Sequence, residues 1–316
     1  MLYGVASMLE RFVGLTTMAL AVLFLTSVTR AQTPAAAQQA DGPAMPANGH
    51  NENIHIDGWN RPQAPLEASG KKPGPAPVHD LSGIWEPVPG YRDGVFASGP
   101  RDMPSDPEHE AMMPYTALGK EMMDSHKAGF GVNQAPISQI NDPFNICDPI
   151  GFPRINLFNL RGVQIVQTPS QVLLLYQNTR TWRNIWTDGR GLPTEITEPR
   201  WFGYSVGEWV DPTTLVVTTV GLDESTWIDN TGRPHSDELS VQEIFHRVDE
   251  FNIDLTMIIS DPKMYTKPWV PLEKFRLGMN APDFDIREMI CSVSQQALYN
   301  ELMKDVVPIQ GTESDQ

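Results

Sequence analysis

The sequence predicts a mainly β domain in which an antiparallel meander closes into a barrel, with a helical insertion near its start and a helix at its end. Three observations predict it. From Arg161 onward, runs rich in β-branched and aromatic residues are separated by turn residues roughly every 8 to 12 positions, the spacing of an all-β sandwich or barrel. The turns between these runs are too short for parallel crossovers. Only two cysteines are present, Cys147 and Cys291, and an exported chain with an even count pairs them.

In chain order, the first element is a leader. One basic residue, Arg11, ends the opening segment, and residues 12–28 form an uncharged, largely apolar run, shorter than the ~20 residues of a bilayer span. Thr29-Arg30-Ala31 follows, with small residues where a signal peptidase reads, so the pattern predicts a signal peptide over 1–31, cleaved after Ala31. An uncleaved anchor is the alternative. No cysteine lies near the cleavage point, which excludes lipoprotein processing. The predicted location is periplasmic or extracellular, with the mature chain not embedded in a membrane.

Residues 32–79 are Pro, Ala, Gly, Gln and Asn with few large apolar side chains, and read as a disordered spacer containing one apolar island at Ile54, Ile56 and Trp59. The folded domain then spans 80–305. Leu81, Ile84 and Trp85 open its first strand, and the Met-rich, Pro-broken stretch 101–141 is an insertion with one or two short helices within 107–127, interrupted at Pro114. Strands are predicted over 163–168, 172–177, 181–187, 201–210, 214–221, 240–248, 253–260 and 267–277, about nine in all with the first. Pro169-Ser170, Asp211-Pro212 and Asp249-Glu250 with Asn252 supply hairpin turns. Ile253, Leu255, Met257 and Ile259 alternate with Asp254, Thr256 and Ser260, so one face of that strand is buried. Ile286, Ile290, Val293, Ala297 and Leu302 sit near helical spacing behind Asp283 or Asp285, predicting a helix over 285–304 that lies across the barrel wall. Cys291 on that helix would reach Cys147, closing a long loop whose entropy amounts to roughly 4 to 5 kcal/mol at most. The remainder, 306–316, is a tail.

Charge narrows the function classes. The chain has 39 acidic and 23 basic residues, a net charge of −16. Removal of the leader takes away Glu10, Arg11 and Arg30, leaving 38 against 21 and a net charge of −17. Such a surface repels phosphates and anionic lipid, and no basic stripe interleaves with aromatics, so nucleic acid is not a partner. The cysteines show no Cys-x-x-Cys spacing and the histidines no His-Glu-x-x-His, so neither a metal nor another cofactor is predicted.

Several motifs then carry a resemblance: Asp80-Leu-Ser-Gly-Ile-Trp85, Asn141-Asp-Pro with Cys147-Asp-Pro-Ile-Gly-Phe-Pro-Arg154, Ile185-Trp-Thr-Asp-Gly-Arg190, Gly203-Tyr-Ser-Val-Gly-Glu-Trp209 and Pro234-His-Ser-Asp237. Over about 80–291 they resemble a family of secreted bacterial proteins that has no assigned activity. More distantly, the Leu-Ser-Gly-x-Trp opening and the meander look like the lipocalin-like barrels. That likeness implies an enclosed small apolar ligand.

Candidate site residues fall into two groups. His235 and Asp237 lie in the turn before the 240–248 strand, and Asp188 and Arg190 in the turn after 181–187. If both turns share a rim, His235 serves as a general base oriented by an aspartate, as in an acid–base hydrolase or isomerase. The competing reading is that these are ordinary turn residues. The second group is interior. Trp182 and Trp186 share one strand face, as do Trp201 and Trp209, and would form either a core or a pocket wall for a small apolar or amphipathic molecule. Glu243 and Arg247 share a face of the 240–248 strand and, once buried, must be paired. They would anchor a ligand, or Glu243 would pair with Arg247 or Arg183 to hold the barrel register. The remaining class is a solid, non-catalytic structural or interaction module of the cell envelope.

Overall fold

The computed structural model describes residues 55–306 apart from 64, 89–94, 97, 98, 101 and 158–161. The predicted signal peptide, the first part of the spacer and the tail beyond 306 lie outside the described residues. All described residues fall within one unit, 50–316.

Nine strands form a closed barrel: β1 (Gly83–Pro87), β2 (Val163–Gln167), β3 (Gln171–Tyr176), β4 (Trp182–Trp186), β5 (Tyr204–Asp211), β6 (Thr214–Val220), β7 (Ser240–Arg247), β8 (Asn252–Ser260) and β9 (Trp269–Met279). Chain neighbours are barrel neighbours throughout, and β9 pairs back onto β1 through Leu277 with Pro87 and Met279 with Trp85. Every pair is antiparallel except β4 with β5, which run parallel, Ile185 opposite Ser205 and Trp186 opposite Val206. The all-antiparallel expectation is corrected at that one seam. An odd number of strands cannot alternate direction around a closed ring, so one parallel pair is obligatory. The chain places it where a long connection, 187–203, carries it from the end of β4 back to the start of β5.

Side-chain alternation sorts the strands into an inner and an outer face. Inward residues include Trp85, Val163, Ile165, Leu174, Ile185, Leu215, Val217, Val241, Phe245, Leu255 and Met257, all buried. A void able to hold even one water would leave exposed surface on the side chains around it, yet Trp85, Ile185, Leu215, Val217, Val241 and Met257 are each 0% exposed. Around these six residues the interior is filled by its own side chains.

One rim carries the starts of β2, β4, β5, β7 and β9, and the short helix α3 (Arg154–Leu157) with the segment before it plugs it with Ile150, Phe152, Ile155 and Leu157. Gly151 permits the close approach. Its φ is +68°, and a Cβ there would stand 2.5 Å from Thr226 Cγ2. The opposite rim is closed by Arg247, whose guanidinium donates to the carbonyls of Asp80 and Glu250 (2.9 and 2.8 Å) with its carbon 4.8 Å from the Trp85 ring.

The insertion contains α1 (Pro107–Ala111) and α2 (Ala117–Ser125), broken at Pro114 as the sequence predicts. Each starts on a side-chain cap: Asp106 accepts from the backbone of Glu108 and His109, and Thr116 from Gly119. A buried network fastens the insertion to the barrel. Arg233 donates to Asp229 and Glu110 (2.7 Å each), and Tyr115 donates to Glu110 at 2.6 Å.

Two sequence expectations are corrected at the ends of the domain. Residues 55–79 apart from 64, expected within a disordered spacer, lie along the barrel. Asp57 caps the backbone of Trp59 and Arg61 and pairs with the Arg61 side chain, while His79 N–H donates to Pro212 O. The last helix, α4 (Val293–Leu302), begins eight residues later than predicted, because residues 282–286 are held as a non-helical strap by Arg61 on Asp283 and by Gly58 N–H on Asp285 O. It packs on the end of the insertion and the segment that follows it rather than across the barrel wall: Asn300 donates to Asn145 O at 2.9 Å, and Ser138 N–H to Lys304 O, just past the helix, at 3.0 Å. Cys291 precedes the helix and is bonded to Cys147, their Cα atoms 5.6 Å apart.

Candidate functional site

The predicted interior charges are present and paired. Arg183 and Glu243 meet inside the barrel in a two-pronged ion pair of 3.0 and 2.6 Å, with both side chains essentially unexposed. Arg183 also donates to Ser205 and Thr219, Asn156 of α3 donates to Glu243 at 3.0 Å, and Phe152 covers the guanidinium at 3.8 Å. Burial opposes the charge on Arg183, and Glu243 offsets it, holding the guanidinium above its ordinary value. Every oxygen of Glu243 is engaged within the protein, and no surrounding space remains for a ligand. Arg247, predicted beside it, is spent on backbone carbonyls at the far rim.

The four predicted tryptophans do not converge. Trp182 and Trp186 share a face, as predicted, but it is the outer one, because Arg183 and Ile185 take the inner side. Trp186 lies under Arg190, 3.5 Å away. Trp201 sits in the 187–203 connection, its carbonyl accepting from Phe152 N–H at 2.8 Å. Trp209 packs at the far rim with its ring 4.9 Å from that of His79.

The predicted acid–base residues are separated as well. His235 precedes β7 at the plugged rim, whereas Asp188 and Arg190 follow β4 at the opposite one, where they pair with each other at 2.7 Å. His235 is 1% exposed, with Nε2 2.8 Å from Thr226 Oγ1 and Nδ1 3.2 Å from Ser236 O. Burial pushes its pKa below the ordinary 6.5. Asp237 faces solvent on Lys263, whose hydrogen bond holds the carboxyl below its usual range. Asp261 accepts from Ser236 N–H and Oγ (2.6 and 2.9 Å) and so caps the turn beside His235, and Glu224 accepts from Asp237 N–H at 2.9 Å. No His–carboxylate pair open to a substrate is formed by these residues.

A concave feature of the described surface lies on the outer wall. A cleft of ≈720 Å³ runs over β1 to β4, floored by one cross-strand row. In that row Ile84 stands opposite Gln164, Gln164 opposite Leu175, and Leu175 opposite Trp182. The strap 282–286 and the segment carrying Trp59 and Arg61 form its banks, and Arg180 and Thr181 its end. Its volume falls within the range of small-molecule sites. Trp59 is 74% and Trp182 63% exposed, so two indoles are offered to solvent in one depression. Arg61 is committed to Asp57 and Asp283 (2.7 and 2.9 Å), whereas the side chains of Arg180 and Asp285 make no ion pair among the described residues.

Two further features adjoin the cleft. Thr179 and Arg180 both have positive φ (56° and 49°) in the loop from β3 to β4, and a β-branched residue there is strained. Asn280, 1% exposed and bonded through its N–H to Ile84 O, has no partner for either end of its carboxamide. Sequence reasoning missed this site because its walls come from three distant segments. The available signal was the Trp59 island, which only tertiary contacts bring to Trp182.

Set against family models, curated proteins and solved structures, the chain matches none. Among the described residues, no group of three or more His, Cys, Asp or Glu could hold a metal ion, and no helix is long and apolar enough to cross a membrane.

Proposed function

We propose that this chain is an exported β-barrel protein, periplasmic or extracellular, that binds a small amphipathic molecule on its outer wall, as a member of the secreted bacterial family its motifs resemble. The observation that carries the binding reading is the pair of exposed tryptophans, Trp59 and Trp182, in one cleft of ≈720 Å³. Large aromatics exposed together are uncommon on a surface with nothing to bind, and a concave site with a few polar groups suits a ligand with an apolar face and a polar edge. The filled interior directs the reading away from an enclosed, lipocalin-like ligand. The Cys147–Cys291 bond suits an oxidising compartment, which supports export.

The test is native mass spectrometry of the mature protein from its natural host, with denaturing extraction of whatever is released. A retained small molecule whose occupancy falls on the order of tenfold in Trp182→Ala, a loss of about 1.4 kcal/mol, is the expected result. Trp182 contributes to no core, so the variant keeps its fold. Occupancy unchanged by Trp182→Ala would take the ligand off this cleft and overturn the proposal.

A further inference from the structure

Within the proposed binding function, on which this inference rests, we infer that the cleft takes an uncharged carbohydrate, a short chain of sugar rings lying along the Ile84–Gln164–Leu175–Trp182 row. Charge is the first argument. The cleft holds Arg61 and Arg180 against Asp283 and Asp285. The inner pair is already joined, Arg61 to Asp283 at 2.9 Å, and what remains for a ligand is one guanidinium and one carboxylate of opposite sign. An anionic ligand drawn to Arg180 enters a cleft that also presents Asp285, and a cationic one drawn to Asp285 a cleft that also presents Arg180. Vicinal hydroxyls satisfy both, because a hydroxyl accepts from guanidinium N–H and donates to carboxylate oxygen. Gln164, at the centre of the floor, offers both donor and acceptor.

Exposure is the second argument. An alkyl chain is held by walls that cover most of its surface. Here the principal apolar groups stand open, Trp182 at 63% exposure and Trp59 at 74%, which would leave much of such a chain wet. A sugar ring needs only one covered face. Its C–H groups lie against the electron-rich face of an indole while the hydroxyl edge stays hydrated or meets the cleft's polar groups.

Length is the third. Four strands span three inter-strand intervals, ~14 Å at the usual spacing, so the floor is an elongated track rather than a round pocket.

The test is calorimetric titration of the full mature chain with a panel of neutral β-linked oligosaccharides, and, in parallel, with dodecanoate and inorganic phosphate. Saturable binding of a neutral oligosaccharide is expected, little changed by added salt, weakened roughly tenfold or more by Trp182→Ala and by Asp285→Asn, and partly retained by Trp182→Phe. Unfolding midpoints of these surface variants should match the parent, which separates lost binding from lost fold. Dodecanoate binding that depends on Trp182, with no oligosaccharide bound, would leave the cleft as the site and overturn the carbohydrate assignment. Phosphate binding abolished by Arg180→Gln would do the same. Failure of every probe, together with an empty protein by native mass spectrometry, would overturn both this inference and the proposed function.

Discussion

Arg183 and Glu243 are the residues on which the barrel's interior turns, because each is tolerable only in the presence of the other. Together they satisfy Ser205, Thr219 and Asn156 around them. Removing one partner strands a buried charge, which costs ~3–5 kcal/mol, so Glu243→Leu should lower the urea midpoint steeply. The double replacement Arg183→Met with Glu243→Leu should recover most of that loss, and a midpoint no better than the single variant's would show that the pair does more than neutralise itself. His235 supplies a pH-dependent counterpart. Its pKa is lowered by burial in the folded chain, as is that of His126, so between the lowered value and 6.5 the unfolded chain binds more protons. Stability from these groups is complete above 6.5 and is lost as pH falls below it. Asp188 and Asp237, held below 3.8, stay charged throughout that window and do not confound it. Urea midpoints measured from about pH 8 to about pH 5 should therefore decline, and His235→Gln should flatten the decline. An unchanged slope would mean that His235 takes up its proton as readily in the folded chain as in the unfolded one.

Elements were legible where period and punctuation agreed. Ile253, Leu255, Met257 and Ile259 alternate without interruption, and the strand is found at Asn252–Ser260. Alternation also correctly placed Trp182 and Trp186 on one face, yet it does not say which face is inside. Trp182 and Arg183 compete for the interior, and only Glu243, sixty residues on, makes the arginine the buried one. The parallel seam was hidden for a different reason: residues 187–203 have no period, and pairing across them is set by ring closure. The start of α4 was misplaced because Asp283 and Asp285, plausible caps, are held in the strap by Arg61 and Gly58. Five residues beyond the strap, Cys291 is bonded to Cys147 across a sequence separation of 144. Its loop entropy amounts to ~4–5 kcal/mol as an upper figure, so Cys147→Ser with Cys291→Ser should lower the melting temperature and let proteases cut near 282–306 before the barrel unfolds. The hairpin from β3 to β4 makes the opposite prediction. Thr179 and Arg180 both occupy left-handed backbone, which Asn and Gly adopt more readily. Thr179→Asn with Arg180→Gly should raise stability by ~1 kcal/mol while weakening any ligand that Arg180 contacts. Unchanged binding in that variant would remove Arg180 from the site.

At the scale of the whole molecule, ring closure distributes strength unevenly. β5 to β9 are paired along most of their lengths, as in the eight partners from Ser240 with Ser260 to Arg247 with Ile253. β2, β3 and β4 form a second well-paired group. Between the groups, β4 meets β5 at two positions, and β1 meets each of its neighbours at three. The barrel is thus two sheets joined by a short parallel seam on one side and by β1 on the other. Local opening follows the weakest cooperative boundary, so amide exchange should separate the groups. Protection should be greatest at Leu215–Val217, Val241–Phe245 and Leu255–Met257, and lower at Ile185, Trp186 and the β1 amides. The cleft lies on the less protected group, over β1 to β4. A ligand there bridges β1 to the strap and to β4, and binding the native state alone must raise its stability. Hydrogen exchange with and without a bound oligosaccharide therefore tests fold and site together. Protection gained at β1 and β4, with β6 to β8 unchanged, is the pattern expected of an outer-wall ligand. A gain spread evenly over all nine strands would point instead to a ligand acting through the core.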